Sequence, residues 1–496
     1  MSRSWMFRNA TVISVDETIG TVPNCDVYVE DGVIKEVGPK LELPPSGKAD
    51  VEVIDATNAI LSPGFVDTHR HMWQTQLRTI TGDFTLTDYV VNIRNRYGST
   101  YTPDDVFLGN LCGALESLDS GITCVLDHSH IMNSPAHSDA AVEGLKASRI
   151  RGCFCYGLYV NPAPSDPATS KGTQRAEQTA EEEKAEGKWR YNDAARLRKT
   201  AFSPSNAPTD LLRFGFAPTE VERAPLEQSV DELLYARSLG AALITAHVAL
   251  GTYDMGSHIV RGLAERNLLG PDLVFSHGTC LAPDEIQAIS QAGSSISSTP
   301  DTELQMGMGR PIAVAAEALG CTTSLGVDIV SNSPSDMFVQ MRLLLQSQRY
   351  ANDGDLPPAP TKMTVTCAEV LRIATLGGAK AMGVGEVTGS ITPGKKADLL
   401  LTRCDSLRMT PVHQPEVALV LYANSSDIDS VFVDGVRVKK DGKILPASGR
   451  AELDWPVLRE RLRASAAGIM ERSHLIPLHE NDSNVHAYYK LGAVSK

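Results

Sequence analysis

The sequence predicts an α/β protein: a TIM (β/α)8 barrel with a discontinuous small β-sandwich built from both ends of the chain. Three observations carry this expectation. From residue 61 onward, eight short runs of β-branched and small residues alternate with stretches of helical length. Runs of β character separated by turns flank them on both sides. The 496 residues also exceed the roughly 250 of a bare barrel, so a further unit is required.

Residues 1–60 carry β runs at 5–14, 25–30, 33–37 and 51–55, with a hairpin signal at Glu30-Asp31-Gly32. The barrel is expected over 61–387. Its strands are read at 61–68, 121–128, 152–159, 212–218, 242–248, 272–278, 294–299 and 322–328, and helices at 103–120, 224–239, 283–292 and 335–350. A polar insertion at 161–208, with a helix-like stretch at 177–187, separates strands three and four. A lid and a solvated surface segment are equally open readings of it. Residues 388–450 return to β runs at 398–401, 417–422 and 430–433, with a turn at Val433-Asp434-Gly435. They are expected to complete the sandwich. The extension 451–496 starts helical and turns irregular.

Composition bounds the function. Hydrophobic residues at 42% and charged residues at 21% allow a large core. A net charge of −14 without a basic stripe argues against nucleic acid and anionic membranes as partners and leaves a small-molecule substrate. The first residues lack the pattern of a signal peptide. The apolar run 241–250 is short and is broken by His247. Nine cysteines without a CxxC pair read as free thiols, and Cys153 and Cys155 as packing residues on a strand. These features together suggest a cytoplasmic protein.

Four places fall at the C-terminal ends of predicted strands, where barrels build their sites. The first is Pro63-Gly64-Phe65-Val66-Asp67-Thr68-His69-Arg70-His71. Residues i and i+2 of a strand share a side, so His69 and His71 would face the barrel mouth together. His247, His277 and Asp328 end later strands. Each alone has a bland reading, as a satisfied polar residue or a helix cap. Four in order on one barrel point to a metal site. Asp127, His128 and His130 end strand two, and His130 is a candidate for substrate contact. Trp73 and Gln74 follow the His-x-His pair; Gln74 is a second candidate, and Trp73 suits the core. Glu303, Gln305 and Met306, which follow strand seven beside a tight loop at Gly307 and Gly309, are further candidates for substrate contact.

At these residues the chain resembles the amidohydrolase superfamily, in the mononuclear branch holding cytosine deaminase, S-adenosylhomocysteine deaminase and atrazine chlorohydrolase. The resemblance extends to Ala374-Thr375-Leu376-Gly377-Gly378-Ala379 and to Gly389-Ser390-Ile391-Thr392-Pro393-Gly394-Lys395-Lys396-Ala397-Asp398-Leu399. It implies that His69, His71, His247 and Asp328 bind one divalent metal ion. Zinc is the first expectation, with iron(II) or manganese as alternatives. His277 and Asp328 would be catalytic. Binuclear relatives use a lysine on strand four, which this chain lacks. Deaminases of the branch carry a glutamate where Leu250 stands; Glu220, Asp254 or His258 could replace it. The implied activity is hydrolysis of an amide, ring or amino C–N bond in a small cyclic nitrogen compound. Alternatives are a lyase or decarboxylase, a C–X hydrolase, or a non-enzymatic metal site. The resemblance also suggests a homodimer or higher homo-oligomer.

Overall fold

Runs rich in β-branched and aromatic residues, punctuated by turns, open the chain and favour strands. The computed structural model describes residues 4–43, 51–161, 180–354 and 359–474. It forms β1 (Trp5–Ile13), β2 (Thr21–Glu30), β3 (Val33–Gly38), β4 (Glu52–Asp55) and β5 (Ala59–Pro63) here. Near the other end lie β14 (Leu399–Arg403), β15 (Ile428–Val433), β16 (Val436–Lys440) and β17 (Lys443–Ile444). These strands make one nine-stranded sheet, ordered β17-β16-β15-β14-β5-β1-β2-β3 with β4 beside β1. The joint between the chain ends is β14 against β5, antiparallel, with Leu399 opposite Pro63. Trp5, Phe7, Leu399, Leu401 and Phe432 fill the core of this unit. The Phe432 ring meets Trp5 and Phe7 edge-on at 5.0 and 5.2 Å.

Between them, β6 (Phe65–Arg70), β7 (Ile122–Ser129), β8 (Arg151–Gly157), β9 (Leu212–Ala217), β10 (Ile244–Val248), β11 (Leu273–His277), β12 (Ser295–Ser298) and β13 (Thr322–Leu325) close into a parallel barrel. Each of the eight expected barrel strands is present. The run 61–68, however, divides into the end of β5 in the sheet and most of β6 in the barrel. Gly64 is the joint. A Cβ there would stand 2.0 Å from the Thr123 hydroxyl, so only glycine lets the chain pass.

Two other elements differ from expectation. Residues 417–422 are helical, not β. The turn starts at Pro415–Val417 and continues through Ala418–Tyr422, burying Ala418, Leu419 and Val420. Pro415 at the first helical position starts it, and Arg342 donates to Val420 O at 2.9 Å. A short apolar run does not by itself separate strand from helix. The helix expected at 177–187 is Ala180–Ala201. It packs on the barrel flank, where Asp193 accepts from Tyr156 Oη at 3.1 Å and Ser138 Oγ at 2.7 Å. Residues 162–179, on which a lid would depend, and 475–496, where the sequence is expected to turn irregular, lie outside the described residues. Among the described residues no helix is long and apolar enough to cross a membrane.

Candidate active site

β6 runs out into His69-Arg70-His71. The two imidazoles are buried at the barrel mouth with ring centroids 4.9 Å apart. Arg70, between them, reaches instead toward Glu116, with Nη2 3.4 Å from Oε2. Asp328 arrives just past β13. The approach needs Gly326, where a Cβ would sit 2.7 Å from His69 Cβ. Asp328 N then donates to His69 O at 2.8 Å, and His71 N to Asp328 O at 2.9 Å. This interlock sets Asp328 Oδ1 3.3 Å from His69 Nε2 and 3.4 Å from His71 Nε2. β10 adds His247 and β11 adds His277. Ligand atoms of His69, His71 and His247 lie within 4.8 Å of one another, as do those of His69, His277 and Asp328.

The donor set fits a divalent ion. Bonds of 2.0–2.1 Å in a tetrahedral shell place neighbouring donors about 3.4 Å apart, which matches the spacing of Oδ1 from the two imidazoles. Each imidazole is also engaged through its other nitrogen. His71 Nδ1 donates to His128 O at 2.7 Å, and His247 Nδ1 donates to Glu220 Oε1 at 2.7 Å. His69 Nδ1 is 2.7 Å from Ser276 Oγ, while its buried Nε2 has no hydrogen-bond partner among the described residues. Outer partners of this kind fix the ring and leave Nε2 bare for a metal. β9 brings no lysine to the mouth.

Electrostatics separates the groups. Burial lowers His69 to about 4, against the pull of Asp328, and holds His71 well below its ordinary value. Both are therefore neutral, with lone pairs on offer. Burial opposes charge on Asp328, but His69, His277 and His71 outweigh it and keep the carboxylate well below its usual range. His277 moves the other way. Burial disfavours its cation, but Glu303 and Asp328 raise it. Its Nδ1 lies 2.9 Å from Thr299 Oγ1 and 3.6 Å from Glu303 Oε1. His277 and Asp328 both adopt left-handed backbone, φ 71 and 69. That costs about 1–2 kcal/mol each and is typical of functional positions.

The other expected residues spread around this centre. His130 stacks on His71 at 4.1 Å, and its Nδ1 accepts from Trp73 Nε1 at 3.0 Å. Gln74 is buried and donates to Tyr89 Oη at 2.6 Å. Glu220 backs His247, and Glu303 backs His277. Gln305 is exposed, with its amide donating to Gly82 O at 2.9 Å. Leu250 is apolar and buried. Of the groups offered in its place, Glu220 meets a site imidazole. Asp254 accepts from Gly256 N at 3.0 Å, and exposed His258 pairs with Glu285 at 3.3 Å.

Three further residues join the site: His128, named in the sequence only as a strand-end residue, and Tyr159 and Arg94, which were not anticipated there. His128 stacks on His247 at 4.5 Å with neither ring nitrogen bonded among the described residues. Tyr159 places its hydroxyl 3.3 Å from His247 Nδ1. Arg94 lays its guanidinium over the Tyr159 ring at 4.1 Å. The strand-end criterion reaches His128 and Tyr159. Arg94 sits in the helical turns Val90–Tyr97, where no motif marks it.

A model described as the amidohydrolase family matches residues 60–438. The chain is 27% identical over 441 residues to the 5-methylthioadenosine/S-adenosylhomocysteine deaminase of Desulforudis audaxviator, covering 89% of this chain and 94% of that protein. It is 26% identical over 448 residues to the 5′-deoxyadenosine deaminase of Methanosarcina mazei, covering 89% and 94%. Among solved structures, an adenosine deaminase from Xanthomonas campestris with bound zinc shares the fold at TM-score 0.77 and 21% identity, over 94% of this chain and 98% of that one. Atrazine chlorohydrolase from Arthrobacter aurescens, complexed with zinc, does so at 0.76 and 21%, over 93% and 100%.

Proposed function

We propose, from the premise that the chain belongs to the amidohydrolase family, that it is a metal-dependent hydrolase of C–N bonds in small nitrogen heterocycles. The observation that carries this reading is the convergence of bare Nε2 atoms on the ionised Asp328 carboxylate, 3.3 and 3.4 Å away. His69, His71, His247 and Asp328 would hold the ion, and zinc suits three imidazoles and a carboxylate. When bound, such an ion supplies Lewis acidity and brings the pKa of its water toward neutrality.

The chain's own groups divide the proton traffic. Asp328, kept ionised, takes the proton of the attacking water and returns it to the leaving nitrogen. His277, raised by Glu303 and Asp328, stands ready to donate to the attacked group as negative charge develops on it, at the oxygen of a cyclic amide or the ring nitrogen of an amino heterocycle. Glu220 orients His247 through Nδ1. His71, His128 and His130 wall one side and exclude water.

The test is a screen of the zinc-loaded protein for ammonia release from aminopurines, aminopyrimidines and aminotriazines. Activity should appear in wild type and fall by more than about 10³-fold in His69→Ala, whose circular dichroism stays that of a folded barrel. A second reading rests on Leu250. With no carboxylate there to protonate an amine, halide or alkoxide is the easier leaving group. Release of chloride from chlorotriazines without ammonia from their amino analogues would favour it.

A further inference from the structure

We propose that Arg94 is an anion-recognition residue and that the substrate heterocycle carries a carboxylate or phosphate group away from the bond that breaks. The inference rests on the hydrolase reading for what the centre does, but on separate residues.

Arg94 is 9% exposed, and its Nε is fully buried without a hydrogen-bond partner among the described residues. No carboxylate among them pairs with it at ion-pair distance; its one marked contact is the face of Tyr159, 4.1 Å from the guanidinium carbon. Arginine carries five donors and does not lose its charge. Burying that charge with its donors unmatched is costly, and proteins ordinarily pair such a group. Arg70, Arg151 and Arg213, also buried, all donate to carboxylates or carbonyls. Arg94 departs from that pattern at the barrel mouth.

Its position ties it to the site. Tyr159, beneath it, reaches His247 Nδ1 at 3.3 Å and lies 5.5 Å from the His130 ring. The charge of Arg94 is felt at His130, His128, Tyr89 and Glu220. Glu220 is the near acid, but its Oε1 is taken by His247 at 2.7 Å. The unmet donors therefore await an oxyanion brought in by the ligand. A planar guanidinium takes carboxylate or phosphate oxygens through paired N–H bonds. The stacked tyrosine fixes the plane and keeps the cost of ordering low.

The test is calorimetric binding to the zinc-loaded full chain of two matched pairs. One is 4-aminopyrimidine-5-carboxylate and its carboxamide; the other is adenosine 5′-phosphate and adenosine. Wild type should prefer the anionic member of at least one pair by about 10- to 100-fold, and the pair that shows it distinguishes carboxylate from phosphate. Arg94→Gln should erase the preference and leave the neutral member within about 2-fold, while Arg94→Lys keeps part of it. Equal affinity for both members of each pair overturns the proposal. So does no binding of any of the four, or an equal loss for both members in Arg94→Gln. Ammonia release from the same probes reads the hydrolase assignment separately. Anion-selective binding without ammonia would leave Arg94 in this role and count against deamination.

Discussion

Single hydrogen bonds decide which nitrogen each imidazole offers. Glu220 is the sharpest case, because its carboxylate accepts a hydrogen bond from His247 Nδ1 at 2.7 Å and so leaves Nε2 bare. Glu220→Gln keeps the shape and removes the charge. It should weaken metal binding by about 10- to 100-fold, read by competition with a chelating dye, and lower kcat while the fold persists. Unchanged affinity would detach Glu220 from the centre. The gathering of His69, His71, His247 and Asp328 at one mouth was legible in the sequence, because all four stand at strand ends and a barrel collects strand ends on one face. What each ligand leans on was not. Ser276 and the His128 carbonyl come from other strands and Glu220 from the loop after β9, in registers that periodicity does not specify. Arg94 was hidden for a related reason: an arginine in an irregular helical stretch reads as a solvated surface charge until the fold buries it.

At the scale of elements, the loop after β6 is tied to its neighbours by Glu116. This residue of the helix Pro103–Asp119 accepts from Arg78 Nη2 at 2.7 Å and faces Arg70 Nη2 at 3.4 Å. Burial would raise its pKa, but Arg78 and Arg70 hold it below its ordinary value. A carboxylate depressed on folding stabilises the fold above its unfolded pKa, about 4.3, and that contribution is lost as pH falls through the folded value. Glu116→Gln leaves Arg70 buried without its counter-charge. It should cost about 3 kcal/mol at pH 7 by urea denaturation, with the gap to wild type closing below about pH 4. The strands bounding this region were legible because β-branched runs alternate with helical lengths. The division at Gly64 was not, since one apolar run feeds both the sheet and the barrel. The helical turn over Ala418–Tyr422 was missed because five apolar residues carry too little periodicity to name their own geometry.

At the scale of the molecule, a buried ion pair ties the barrel to the terminal sheet. Arg151, on β8, donates from Nε to Asp398 Oδ2 at 2.6 Å and from Nη2 to Oδ1 at 3.2 Å. Asp398 precedes β14, and it also receives Asp434 N at 2.6 Å through Oδ1 and Gly64 N at 2.9 Å through its carbonyl. One residue thus fixes the barrel floor, the β15–β16 turn and the crossing from β5 to β6. Arg151 is 1% exposed. Asp398→Asn would remove the carboxylate bonded to this charge, with Asp434 Oδ1 left at 3.9 Å, and should cost about 3–5 kcal/mol. The proposed metal ligands sit at the opposite, C-terminal ends of the barrel strands, so zinc content and kcat should stay within about 2-fold of wild type at 25 °C while thermal unfolding begins earlier. Calorimetry distinguishes two couplings. A single lowered transition means sheet and barrel unfold together, with Asp398 as a shared keystone. A new early transition that leaves zinc bound means the sheet melts from an intact barrel. A variant that loses zinc before unfolding would show that the ion pair reaches across the barrel to the centre, against the independence argued from its position.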